Sequence, residues 1–203
     1  MQQRLLRFAF LAALVACCPL PVSAAPIVID FETLSEGDDL NALGLGVAFS
    51  NATLLTAEAS GNELDFPPRS GTKVVVDNGG PMRLDFSAPI SSFSGYFTYV
   101  APLTIQFFDL STNLLGAVTS LFDSNFVSSG NGSPNELLSG AFANIAYVTI
   151  TGAVSGPSFT LDDVSFEIAE VNAVPEPSTI VLIGIGMAAL VRYRRSPGRR
   201  GAA

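Results

Sequence analysis

The sequence predicts an all-β body, an antiparallel two-sheet sandwich of the jelly-roll type, set between two terminal segments of different character. Three observations lead there. Runs rich in Val, Ile, Phe and Thr alternate apolar with polar residues through residues 26–172. Gly, Ser, Asn and Pro punctuate these runs often enough for about eight to ten short strands. Outside the termini, no window of about 12 residues holds a helical period.

In chain order, "MQQRLLRFAFLAALVACCPLPVSAAP" comes first, with Arg4 and Arg7 ahead of an apolar run from Phe8 to Ala16. A Pro-broken stretch ending in small residues follows, which is the order of a secretory signal peptide. Val22 and Ala24 favour cleavage after Ala24, so residues 1–24 are expected to be a signal helix that is removed. "LVAC", Leu14 to Cys17, offers a rival reading as a bacterial lipobox with a lipidated Cys17.

The body, 25–172, opens with "IVIDF", where Ile27, Ile29 and Phe31 share one phase. "KVVVDNGGPMRLDF" reads as two strands joined in a hairpin at Asn78-Gly79-Gly80. "SGYFTYV" and "LTIQFFDLSTNLLGAVT" supply further strands, and residues 120–140 read as a long loop. "AYVTITG" places Val148 and Ile150 inward with Tyr147 and Thr149 outward. In "FTLDDVSFEI", Phe159 and Leu161 share one phase and Val164, Phe166 and Ile168 the other, so a bulge or bend is expected at Asp162-Asp163.

Charge and composition exclude several functions. Residues 25–173 hold three basic residues, Arg69, Lys73 and Arg83, against seventeen acids, a formal charge of −14. Such a body repels phosphate backbones, so no nucleic-acid partner is expected. Both cysteines, Cys17 and Cys18, precede the body, and the chain has no histidine or tryptophan. Disulfides, thiolate or imidazole metal sites and His-dependent triads are therefore excluded from the body. Any metal there would be a hard cation on oxygen ligands.

The C-terminus is the most specific part of the chain. "VPEPS" leads into Ile180–Val191, twelve residues without a charge, and then into "RYRR" and a basic tail. Twelve residues make about 18 Å of helix, short for a hydrocarbon core about 30 Å thick. The expected order is a linker at 173–179, a short transmembrane helix at 180–191 and a basic cytoplasmic tail at 192–203. Arginines after the span leave the acidic body outside.

Val174, Pro175, Glu176 and Pro177, the apolar run, and Arg192, Arg194 and Arg195 together resemble the PEP-CTERM sorting signal of Gram-negative bacteria, also called the ice-binding-protein C-terminal domain. That resemblance implies export and transient anchoring in the inner membrane. It implies recognition of Pro175-Glu176-Pro177 by an exosortase, then release or attachment at the cell surface, often beside exopolysaccharide.

In a jelly roll the first and last strands are commonly neighbours. "DFETLSEGDDL" and "FTLDDVSFEI" then bring Glu32 near Asp162, with Asp30 or Asp163 and backbone carbonyls available to complete an oxygen shell. This pairing resembles carbohydrate-binding-module jelly rolls, and the resemblance implies a structural calcium at these carboxylates. The same carboxylates also read as solvated strand-end residues.

The expectation for function is an exported, non-catalytic cell-surface or matrix protein, associated with exopolysaccharide. The alternative is a calcium-dependent carbohydrate-binding module with a defined glycan. A small polysaccharide-acting enzyme is a third reading, with no catalytic residue singled out by the sequence.

Overall fold

The structure, a computed structural model, describes residues 25–57 and 65–169, together with 183, 184, 186 and 187. The expected signal helix (1–24), with Cys17 of the lipobox reading, lies outside the described residues. So do the linker (173–179) with Val174, Pro175, Glu176 and Pro177, and the tail (192–203) with Arg192, Arg194 and Arg195. Within the expected span at 180–191, Ile183, Gly184, Gly186 and Met187 are helical and exposed. Among the described residues, no helix is long and apolar enough to cross a membrane.

The described body is antiparallel β-structure: β1 (Ile27–Ile29), β2 (Val47–Ser50), β3 (Ala52–Thr56), β4 (Lys73–Asp77), β5 (Met82–Tyr99), β6 (Thr104–Phe108), β7 (Leu114–Thr119), β8 (Glu136–Thr151) and β9 (Phe159–Ile168). Single-turn 3-10 helices stand at Leu40–Leu43 and Val127–Ser129. The hydrogen-bonded order is β3-β4-β9-β5-β8-β6-β7, with β1 on β9 and β2 on β5.

Two long strands turn this path into layers. The start of β5 pairs with β2 and with the end of β8, while its remainder pairs with β9 and the start of β8. Register shifts between Asp85, Ile90 and Ser92 mark the bend, where the strand leaves one layer for the other. Phe86, before the bend, meets Phe166 of β9 at 5.1 Å, and Phe93, after it, meets Phe107 of β6 at 6.3 Å. The two halves thus close on a single core.

The alternation read from the sequence sorts this core. Ile29, Phe31, Val148, Ile150, Phe159, Leu161, Val164 and Phe166 are all buried. The phase slip in β9 is a bulge: Tyr96 pairs with Asp162 and Ser94 with Ser165, leaving one extra residue on β9, and Asp163 takes φ 45°. Without that slip, Val164 and Phe166 would face away from the core that holds Phe159 and Leu161.

The hairpin expected at Asn78-Gly79-Gly80 is not formed. β4 and β5 flank β9 instead of pairing with each other, because β5 begins in the other layer. The turn is a corner between layers, with Gly79 and Gly80 at φ 84° and 90°. A second corner at Asn51 (φ 60°) separates β2 from β3. Asn51 ties the two together, its Nδ2 donating to the carbonyls of Gly79 and Pro81 at 3.1 Å each. The loop expected over 120–140 ends early, since β8 already begins at Glu136.

Asn51→Ala should therefore lower unfolding free energy in urea by about 1–2 kcal/mol, losing two exposed hydrogen bonds and placing a Cβ-bearing residue without a compensating amide at positive φ. Asn51→Gly keeps the backbone relaxed and should cost less. Equal losses would mean that the side-chain bonds alone hold the corner.

Candidate functional site

β1 pairs with β9 from Ile27↔Phe166 to Ile29↔Val164, so the first and last strands are neighbours. The chain leaves β1 through Phe31, fully buried at φ 61°, and this delivers Glu32 to the bulge in β9. The structure does bring Glu32, Asp162 and Asp163 to one place, around the segment 69–73.

Glu32 Oε1 accepts the backbone N–H of Thr72 (2.9 Å) and of Lys73 (2.7 Å), and Oε2 accepts the Thr72 hydroxyl at 3.3 Å. Asp162, only 1% exposed, takes the N–H of Arg69 (2.7 Å) and Ser70 (3.0 Å) on Oδ2 and that of Asp163 (2.7 Å) on Oδ1. Asp163 Oδ1 accepts the Ser70 hydroxyl at 2.8 Å. Asp30 stands apart and exposed, its Oδ1 taking the Glu32 N–H at 3.2 Å. Gly71 lies between the two gripped dipeptides at φ 51°, and a side chain there would collide with the Glu32 carboxylate.

Among the described residues, no basic side chain completes this arrangement. The Arg69 guanidinium lies 4.8 Å from the centre of the Tyr96 ring, and Lys73 Nζ donates to Thr56 Oγ1 at 2.7 Å. Burial pushes the Asp162 carboxyl up to about 6, against the pull of its backbone donors, with Asp163 adding to the rise. Among the described residues, no group of three or more His, Cys, Asp or Glu side chains is placed to hold a metal ion.

The same construction recurs where the sequence analysis singled out nothing. Asp77, fully buried, accepts the N–H of Ser158 (2.6 Å) and Phe159 (2.8 Å). Asn125, also fully buried, accepts the Tyr99 N–H at 2.7 Å and donates to the carbonyls of Phe97 and Ser133. Glu136 accepts the Tyr99 hydroxyl and the Leu121 N–H. The Tyr99 phenol is pushed up to about 12, first by burial and then by that carboxylate. An excess of acids over bases was the only signal in the sequence for these partnerships, and it does not say which amides are gripped.

The two outer sheet faces differ. Over β9 and the end of β5, loops bury Thr98, Thr160 and Asp162. Phe66 and Phe126 stack at 5.9 Å between those loops, and Asn135 N donates to the Thr98 hydroxyl at 3.0 Å. Beside them lies an apolar groove of about 240 Å³ walled by Leu55, Phe66, Val74, Val76 and Pro157, with no carboxylate among its described lining residues. On the other face, Ser50 is exposed and Arg83, Asp85, Gln106 and Thr149 are half-buried. Arg83 forks onto Asp85 through Nε at 2.8 Å and sits 3.6 Å from the centre of the Tyr147 ring. Phe108 stacks on Tyr147 at 4.8 Å.

Residues 173–195 match the family described as the PEP-CTERM protein-sorting motif. The chain therefore carries that motif, which implies exosortase-dependent sorting and export to the cell envelope or surface. No curated protein matches the chain. Among solved structures, the K2 cleaved adhesin domain of Lys-gingipain is 12% identical with a TM-score of 0.46, over 71% of this chain and 99% of that one. The K1 cleaved adhesin domain of Lys-gingipain from Porphyromonas gingivalis W83 is 12% identical with a TM-score of 0.39, over 72% and 99%. A mutant family 29 carbohydrate-binding module complexed with mannohexaose is 9% identical with a TM-score of 0.40, over 73% and 94%.

The Asp162 shift has a defined sign. Its folded value, about 6, lies above the ordinary 3.8, so its contribution favours the folded state most below 3.8 and is lost as pH rises through 6. Asp162→Asn removes the titration. Melting temperatures of parent and variant, followed from above 6 to below 3.8, should diverge in the parent's favour on acidification. Parallel curves would show that Asp162 titrates normally.

Proposed function

We propose that the chain is an exported precursor, sorted through residues 173–195 to the cell surface or extracellular matrix, whose body acts by binding and not by catalysis. The match at 173–195 carries the sorting half of this reading. The two prolines of Pro175-Glu176-Pro177 disfavour a helix by residue type, which supports its being read as a peptide signal. The run at 180–191 is short for a permanent anchor, which suits a segment that an exosortase processes while the inner membrane holds it.

The chemistry of the body supports the second half. Asp77 and Asp162, its most buried carboxylates among the described residues, are committed to backbone N–H groups, and the described lining of its apolar groove is free of acids, which favours binding over glycoside hydrolysis. The face of β2, β5, β8 and β6 is the better surface for a partner. There Arg83 and Asp85 neutralise each other among Ser50, Gln106, Thr149 and the Tyr147–Phe108 stack. Such a face suits a neutral polyhydroxylated polymer such as an exopolysaccharide. A polyanion would be repelled by the −14 charge around it. Because Arg83 and Phe108 already engage the Tyr147 ring, contact with sugar would rest on hydrogen bonds more than on a bare aromatic platform.

Replacing Pro175, Glu176 and Pro177 by alanine should leave full-length precursor in the membrane fraction and deplete the surface form on immunoblots. Unaltered mature size and location would remove the sorting reading. Arg83→Ala should weaken retention on neutral polysaccharide at least about fivefold, roughly 1 kcal/mol, in affinity electrophoresis. Equal retention of parent and variant would move any glycan contact off this face.

A further inference from the structure

We infer that the segment 69–73 stands in for a cation: its backbone N–H groups compensate Glu32 and Asp162, and the body folds without calcium. The first-to-last-strand carboxylates are the positions where the resemblance to carbohydrate-binding-module jelly rolls implies a structural metal. A hard cation needs several carboxylate or carbonyl lone pairs converging on one point. Here those lone pairs face donors. Glu32 Oε1 holds two amides and Asp162 Oδ2 holds two more, while Oδ1 of Asp162 holds a fifth. Each N–H directs its positive end to where a cation would bind, so cation and segment exclude each other.

The remaining candidate ligands are turned to the same use. Asp163, at φ 45° in the bulge, accepts the Ser70 hydroxyl, and Asp30 accepts the Glu32 N–H. The close approach requires a residue without a side chain between the two grips, and Gly71 fills that place at positive φ. Neither nearby basic side chain does the compensating: Arg69 lies over Tyr96 and Lys73 reaches Thr56. The four backbone donors of 69–73 are therefore the positive partner of two carboxylates in a body short of Lys and Arg. The inference is independent of sorting and of any glycan.

Thermal melting of the exported protein in millimolar calcium and in excess chelator tests the metal directly. The same Tm in both is expected. A Tm that rises with calcium or falls with chelator overturns the inference, because a ligand of the native state must stabilise it. Amide hydrogen exchange tests the clamp. Glu32→Gln should speed exchange at Thr72 and Lys73, and Asp162→Asn at Arg69 and Ser70, each by about tenfold or more. Exchange that stays at parental rates in these variants overturns the clamp. Should Asp162→Asn fail to fold, the Glu32→Gln pattern at Thr72 and Lys73 decides alone.

Discussion

The structure depends on carboxylates that accept backbone N–H groups. A body with seventeen acids and three bases cannot balance its charge through ion pairs, and one such pair, Arg83–Asp85, is formed among the described residues. Amides do the balancing. Asp30, Glu32, Glu36, Asp38, Asp39, Asp65, Asp77, Asp109, Glu136 and Asp162 each take at least one backbone N–H. Asp30, Asp38, Asp39 and Asp109 cap turns, while exposed Glu36 reaches Thr56 of β3. Asp109, gripped first by the Asn113 side chain and then by backbone donors, is held below the usual carboxylate range. Others fasten loops across long sequence distances: buried Asp77 holds the approach to β9, and half-buried Glu32 and buried Asp162 hold 69–73. A hydrogen bond to a charged acceptor is worth about 1.5–3 kcal/mol, more than most exposed ion pairs.

These clamps matter because of how the layers are joined. β5 and β8 each serve both layers, so the chain must turn corners wherever a shorter strand ends. At a corner the ladder stops and backbone groups lose their strand partners. Asn51 Nδ2 supplies the donor for the carbonyls at one pair of corners, and Asp77 supplies the acceptor for amides entering β9. The bulge at Asp162-Asp163 does both jobs. It restores the inward phase of Val164 and Phe166, and it points the Asp162 carboxylate outward at the segment passing above. One irregularity thus keeps the core continuous and anchors a surface loop.

Alternation made the core legible in the sequence, because apolar side chains on one strand face announce themselves whatever they pair with. The slip in "TLDDVSF" was legible for the same reason, since a change of phase within one strand has few explanations. Pairing was less so. "DNGG" has the composition of a hairpin, yet the strands on either side of it enter different layers, a consequence of the length of β5 that no local signal carries. The clamps were least legible. Neighbourhood of Glu32 and Asp162 followed from topology, but their partners are backbone N–H groups, which every residue except proline possesses. A search by residue type finds metal ligands and is blind to amide donors, so a cluster of acids reads as a cation site whether or not a loop supplies the positive charge.

The charge distribution also links body and address. Seven of the ten basic residues lie in residues 1–7 and 192–203, outside the expected mature body. In the proposed sorting route, arginines beyond 191 hold the tail on the cytoplasmic side, where anionic lipid attracts them. In the same route a body of charge −14 would be repelled by anionic lipid. In that route a scarcity of lysine and arginine in the body would favour its release, and the same scarcity leaves the fold to neutralise its buried acids with amides. The Glu32–Gly71–Asp162 clamp and the basic tail are on this view two results of one constraint: positive side chains are kept at the ends, and the positive ends of backbone dipoles replace them in between.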